Sequence, residues 1–141
     1  MADITITAAS VLASSSANIT DGTAGATITA GQVLYRDSTS GTMKLADSDA
    51  SAATAAPVGI ALHGASSGQP IKYVTADPAF TFGGTVAAGD TIWLSDTAGG
   101  MTLLGPHTTS AELETGDVIT VLGVAVTTTT MNLKMVTGGT V

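Results

Sequence analysis

The chain repeats itself at a spacing of 58 residues. Ala30-Gly31-Gln32-Val33-Leu34-Tyr35 aligns with Ala88-Gly89-Asp90-Thr91-Ile92-Trp93, and the same offset carries Thr39 to Thr97, Gly41 to Gly99, Met43 to Met101 and Leu45 to Leu103. After a loop of different length, Val58-Gly59-Ile60-Ala61-Leu62 matches Leu122-Gly123-Val124-Ala125-Val126. The unit closes with Ile71-Lys72-Tyr73-Val74-Thr75 against Leu133-Lys134-Met135-Val136-Thr137. A unit of this size is a supersecondary motif that cannot bury its apolar face alone, so its two copies must pack together.

Each copy reads as four strands. A Gly turn leads to a strand with one aromatic, then another Gly turn, a Met-x-Leu strand, a loop, an apolar strand with an internal Gly, and a last strand. Gln32–Arg36, Ile71–Thr75, Thr91–Leu94, Asp117–Val126 and Met131–Val136 carry the β-branched and aromatic residues that suit a pleated surface. Asp21-Gly22, Ser40-Gly41, Ser67-Gly68, Gly83-Gly84 and Gly99-Gly100 mark turns between strands. Only Asp49–Ala56, stopped by Pro57, has helical character, and two turns do not persist without packing.

The expectation is an all-β fold: a small barrel or sandwich built from two similar four-strand repeats, about 30–75 and 88–137, in a single β domain over 30–141. Ahead of it lies an extended N-terminal segment, 1–29. That segment has one alternating stretch, Asp3–Thr7, followed by the Ser/Ala-rich run Ala8–Ala17.

Composition narrows the function classes. Four Lys+Arg against eleven Asp+Glu leave a net charge of -7, with no basic cluster to neutralise phosphates, so no nucleic-acid partner is expected. No apolar run approaches the roughly 20 residues that span a bilayer, so no membrane partner is expected either. Asp3 stands where a secretory leader carries Lys or Arg, which points to cytoplasmic synthesis. The 25 Thr and 17 Gly favour sheet and turns over helix. Of the 44% apolar residues 23 are Ala, and only 31 are Val, Ile, Leu or Phe. That is thin for a free-standing core and makes self-association a natural supplement.

Catalytic and metal motifs do not emerge. The chain has no Cys, no G-x-x-x-x-G-K-[ST] and no metal-ligand spacing around His63 or His107. Both histidines read as surface loop residues. Gly22-Thr23-Ala24-Gly25 lacks a following helix that could offer its N-terminus to phosphate. Asn18-Ile19-Thr20 matches a glycosylation sequon but has no export route in this reading. Thr127–Thr130 reads as a solvated turn or strand edge. Tyr35 and Trp93 fall at equivalent repeat positions and read as packing residues. No catalytic residue, cofactor or metal is expected, and the chain is not read as an enzyme.

Taken with the repeat, the chain resembles the capsid decoration, or cement, proteins of tailed bacteriophages. The likeness rests on Ala30–Tyr35, Gly41-Thr42-Met43-Lys44-Leu45, Pro57–Leu62, Ala88–Trp93 and Val121–Val126, and covers about residues 4 to 137. It implies a non-enzymatic virion protein, a homotrimer, that sits on the outer surface of the capsid and clamps adjacent subunits of the major capsid protein. Ile4, Thr5, Ile6 and Thr7 form an extended stretch of the kind that adds to a partner's sheet edge, and with the partner that the resemblance implies they are the candidate capsid or subunit contact. The same stretch can instead pair within its own barrel. A carbohydrate-binding or adhesive β-module displayed on a virion or cell surface is the alternative function, and it requires an exposed aromatic platform.

Overall fold

A computed structural model of the chain describes residues 3–48, 50–51, 53–103 and 118–140, the last four of these (137–140) through their backbone alone. The fold is all-β. In chain order the strands are β1 (Val11–Leu12), β2 (Asn18–Thr23), β3 (Val33–Arg36), β4 (Met43–Leu45), β5 (Gly59–Ala61), β6 (Pro70–Phe82), β7 (Thr91–Leu94), β8 (Met101–Thr102), β9 (Val118–Ala125) and β10 (Thr130–Thr140). They form one curled antiparallel sheet with the path β4-β3-β5-β6-β10-β9-β7-β8, and β1 and β2 pair with β6 beside that path.

The repeat is reproduced in hydrogen bonds. Tyr35 pairs with Lys44 as Trp93 pairs with Thr102. Leu34 lies opposite Gly59 as Ile92 lies opposite Gly123. Gly31 N–H donates to the Ala61 carbonyl at 2.8 Å, and Gly89 N–H donates to that of Ala125 at 2.8 Å. Both glycines hold the left-handed conformation, with φ of 88° and 94°, which side chains other than glycine rarely adopt. The turns are also capped alike: Gln32 Oε1 accepts from Thr29 N–H at 2.8 Å, and Asp90 Oδ2 accepts from Ala87 N–H at 3.0 Å.

The last strand of each unit is where the sequence alignment slips. Ala61 faces Tyr73 and Ile60 faces Val74, whereas Ala125 faces Met131 and Val124 faces Asn132. Met131, not Met135, therefore takes the place of Tyr73. The hairpin between β9 and β10 is shorter than its counterpart, and a shift by four residues keeps the same side chains facing the core, so the alternating pattern alone does not reveal it.

Strand β6 is unexpectedly long and joins the two units. Tyr73 pairs with Ala61 on one side and Thr20 on the other, while Ala76 pairs with Lys134 and Asn18. Strands β5 and β10 thus share one edge of β6, and β2 and β1 occupy the other. The second half of β6 stands to β10 as β2 stands to the first half of β6. Pro78 is tolerated because it falls where the β6–β10 register shifts, at a position with no ladder bond to donate.

The main core draws on both units, with Val33, Ile60, Val74, Phe80 and Phe82 against Ile92, Leu94, Met101, Leu122, Met131 and Leu133. A smaller cluster of Ile28, Leu34, Met43, Ile71 and Tyr73 lies under the first unit. The segment before residue 30 is more structured than its composition implies, because it contributes β1 and β2. The expected helix over 49–56 does not form among the described residues. Ser51 and Thr54 instead exchange side-chain and backbone hydrogen bonds, such as Ser51 N–H to Thr54 Oγ1 at 3.0 Å, and close a turn. Short hydroxyl side chains compete with helical bonding in this way.

Candidate interaction surface

Residues 3–14 run as a clasp across the units, and within them only Val11–Leu12 forms a strand. Asp3 forms a single bridge with Thr102. Ile4 N–H donates to the Met101 carbonyl and Thr7 N–H to that of Gly83, each at 2.8 Å. Because the two bonds reach different elements, no continuous ladder forms. The alternation of DITIT nevertheless sets the facing: Ile4 and Ile6 are half-buried against the main core, while Thr5 and Thr7 point outward. The structure thus brings the four candidate contact residues together on one clasp and divides them between two faces.

The clasp lies close because its neighbours lack side chains. A Cβ on Gly84 would sit 2.5 Å from Ile4 Cγ2 and 2.9 Å from the Phe82 ring. Two shallow grooves flank the clasp. One, of about 470 Å³, is lined by Asp3, Ile4, Thr5, Thr7, Gly83, Gly84, Thr85 and Leu103. The other, of about 310 Å³, lies between Ile4, Ile6 and Ala8 on one side and Ala30–Gln32 and Thr97–Gly100 on the other.

Two carboxylates anchor the clasp. Ser95 Oγ donates to Asp3 Oδ1. Asp77, buried on β6, accepts the Ser14 hydroxyl, the Ser14 N–H at 2.8 Å and the Ala79 N–H at 3.0 Å. Burial pushes the Asp77 pKa up, but the bonds from Ser14 and Ala79 outweigh it and hold the carboxyl below its ordinary value. Neither partnership was legible from the sequence, since a serine in a Ser/Ala-rich run gives no sign of a partner 63 residues away.

The other singled-out residues are scattered. Tyr35 and Trp93 are half-buried at matching places on β3 and β7. His63 is exposed on the β5–β6 hairpin; its Nε2 accepts the Lys72 N–H at 3.1 Å, and its Nδ1 is 2.9 Å from the Gly64 carbonyl. It is thus a loop residue, but one that closes its hairpin. His107 lies outside the described residues. Asn18-Ile19-Thr20 is on β2, and Thr127–Thr130 closes the β9–β10 turn, with Thr127 Oγ1 2.7 Å from Thr130 Oγ1. Lys44 Nζ donates to Asp37 Oδ2 at 2.6 Å, which lowers the Asp37 pKa and raises that of Lys44. Among the described residues no three His, Asp or Glu side chains group so as to hold a metal ion. No helix of the described residues is long and apolar enough to cross a membrane.

Among the described residues five large apolar side chains are exposed, Leu12, Ile19, Val124, Val126 and Val136, distributed over β1, β2 and the β9–β10 hairpin rather than gathered in a pocket. No protein-family model matches the chain, and no curated protein matches it in sequence.

Proposed function

We propose that this chain is a structural virion protein that decorates the outside of a tailed-phage capsid and stabilises it by clamping adjacent subunits of the major capsid protein. In this reading it is made in the host cytoplasm, works as a homotrimer and carries out no catalysis. The observation that carries the reading is the paired-repeat pattern from Ala30 to Val126, which bears the resemblance to the cement proteins.

The physical character of the surface supports the same role. Holding two shell subunits together calls for many weak contacts over a broad area, and Thr, Ala and Gly lose little side-chain entropy when they are covered. Repeated over a shell, such contacts gain from multivalent attachment even where each is weak. The outward threonines of the clasp and the grooves beside them offer relief against which neighbouring side chains can seat.

The test is a binding assay. Purified protein is mixed with undecorated capsids and, in parallel, with a glycan panel. Saturable binding to capsids with no glycan binding is the expected result. Glycan binding without capsid binding would replace this reading with that of an adhesive module.

A further inference from the structure

A separate groove, of about 300 Å³, lies between β2 and the β3–β4 hairpin and shares no lining residue with the two beside the clasp. Its floor is formed where two side chains converge on a glycine: a Cβ on Gly22 would sit 3.1 Å from Met43 Cγ and 3.2 Å from Tyr73 Cε1. The Tyr73 ring runs from Gly59, outside the groove, where Cδ2 lies, to Gly22, so its hydroxyl end is the end at the groove. Tyr73 is only 8% exposed, yet its phenol oxygen has no hydrogen-bond partner among the described residues and is not sealed inside the protein. A hydroxyl on a buried ring ordinarily finds a partner. Arg36 stands opposite Met43 in the wall and folds over Gly41, with Nη2 3.4 Å from where a Cβ there would lie. Lys44 is paired with Asp37 and Lys72 with Asp21, whereas the Arg36 guanidinium has no carboxylate among the described residues.

We propose that this groove is a carboxylate site, filled by an Asp or Glu side chain of a partner protein. The partner is a subunit of the capsid shell, and in that respect the inference rests on the reading above. The Arg36 fork offers paired donors matched to a carboxylate, and the hydroxyls of Tyr73 and of Thr20, its neighbour across the strands, supply further ones. Asp21 also borders the groove, but it alternates to the opposite face of the sheet, where Lys72 Nζ holds it at 2.7 Å. An acidic sugar is the rival ligand with the same charged group. It calls for an aromatic face to stack on and for acceptors to meet its hydroxyls, and here the Tyr73 ring is buried and the Asp21 carboxylate is taken. The volume, at the small end for ligand pockets, suits a single side chain. A clamp must also hold two subunits, and this groove supplies a contact apart from the clasp.

The test uses the full chain in two arms. Isotope-labelled protein is titrated with N-acetylglutamate, N-acetylglutamine and glucuronate while its chemical shifts are followed. In parallel, wild type, Arg36→Gln and Tyr73→Phe are bound to undecorated capsids. Neither substitution removes a side-chain bond made among the described residues, so both variants should unfold like wild type. The expected result is a saturable shift of β2 and β3–β4 signals with N-acetylglutamate and none with N-acetylglutamine. That response should vanish in Arg36→Gln and weaken in Tyr73→Phe. Arg36→Gln should also bind capsids at least about tenfold more weakly, the loss expected for hydrogen bonds to a charged group. No localised response to N-acetylglutamate, or the same response in Arg36→Gln, would overturn the carboxylate site, and capsid binding by wild type would then leave the capsid reading standing. Tighter binding of glucuronate than of N-acetylglutamate would assign the groove to an acidic glycan instead. A carboxylate response with capsid binding unchanged in Arg36→Gln would overturn the shell as the occupant. A wild type that binds no capsids would remove the capsid reading and the shell as occupant with it.

Discussion

Gly123 lies so close to Asn132 that a Cβ added to it would overlap the Asn132 carbonyl oxygen, with Met131 Cε only 2.7 Å away. The first unit holds the same arrangement: a Cβ on Gly59 would meet the Tyr73 ring at 2.5 Å and the Val74 carbonyl oxygen at 2.7 Å. A glycine in the third strand of each unit therefore lets the fourth approach. Gly59→Ala and Gly123→Ala should each cost about 2 kcal/mol or more, because backbone on the far side cannot give way as a flexible side chain would. Gly64→Ala, where the nearest atom would be 3.4 Å away, should change urea unfolding little. Equal midpoints for all three variants would refute the close-approach argument.

The Ser14–Asp77 contact makes stability depend on acid. The Asp77 carboxyl is held below its ordinary pKa when folded. Its contribution is therefore fully present above the ordinary carboxylate value of about 3.9 and is lost as pH falls through the lower folded value. Asp77→Asn keeps the shape but gives up one accepting oxygen, and should cost about 1–3 kcal/mol at neutral pH. The variant should also lose part of the decline in unfolding free energy below about pH 4. Parallel acid limbs for wild type and variant would place the acid sensitivity on other carboxylates.

Legibility in the sequence followed side-chain chemistry. Strands β3, β7 and β9 stood out because Val, Leu, Ile and Trp fall between glycine turns, and the repeat tied them into matching units. Strand β2 did not, since Asn18-Ile19-Thr20-Asp21-Gly22-Thr23 is polar and contains a glycine; it is a strand because the first half of β6 offers it an edge. The far half of β6 was hidden by Pro78, whose cost is absorbed at a register shift. The clasp was half legible: the alternation of Ile4 and Ile6 predicted an apolar face, but the glycines that receive it lie some 80 residues on, at Gly83 and Gly84.

Tyr35 and Trp93 give a paired measurement. Both rings are half-buried at repeat-equivalent sites, one across from Lys44 and the other across from Thr102. Complete burial would put Trp93→Ala at about 3–5 kcal/mol, so half-burial should place each alanine variant nearer 1–3 kcal/mol in denaturant unfolding. Capsid binding should survive in both once the folded fraction is corrected for. A stability-neutral Trp93→Ala that abolished glycan binding would favour the adhesive reading.

The clasp allows stability to be tested apart from attachment, because Ile4 and Ile6 face the core while Thr5 and Thr7 face solvent. Ile4 and Ile6 rest on the core, so Ile4→Ala and Ile6→Ala should each cost about 1–2 kcal/mol, less than a fully buried isoleucine would. Deleting residues 2–17 removes both isoleucines, Val11 and the Ser14 bonds to Asp77, and it uncovers one edge of β6. The truncated chain should therefore be less stable and prone to associate through that edge, and any loss of capsid binding on truncation would mix the two effects. Thr5→Lys and Thr7→Lys isolate attachment, since both side chains face solvent and a surface change of this kind should move stability by no more than about 0.5 kcal/mol. If the outer face of the clasp meets the shell, the double lysine variant should unfold like wild type yet bind undecorated capsids at least tenfold more weakly, equivalent to about 1.4 kcal/mol. Unchanged binding by that folded variant would make the clasp purely a brace between the two repeats and move the capsid contact to another face.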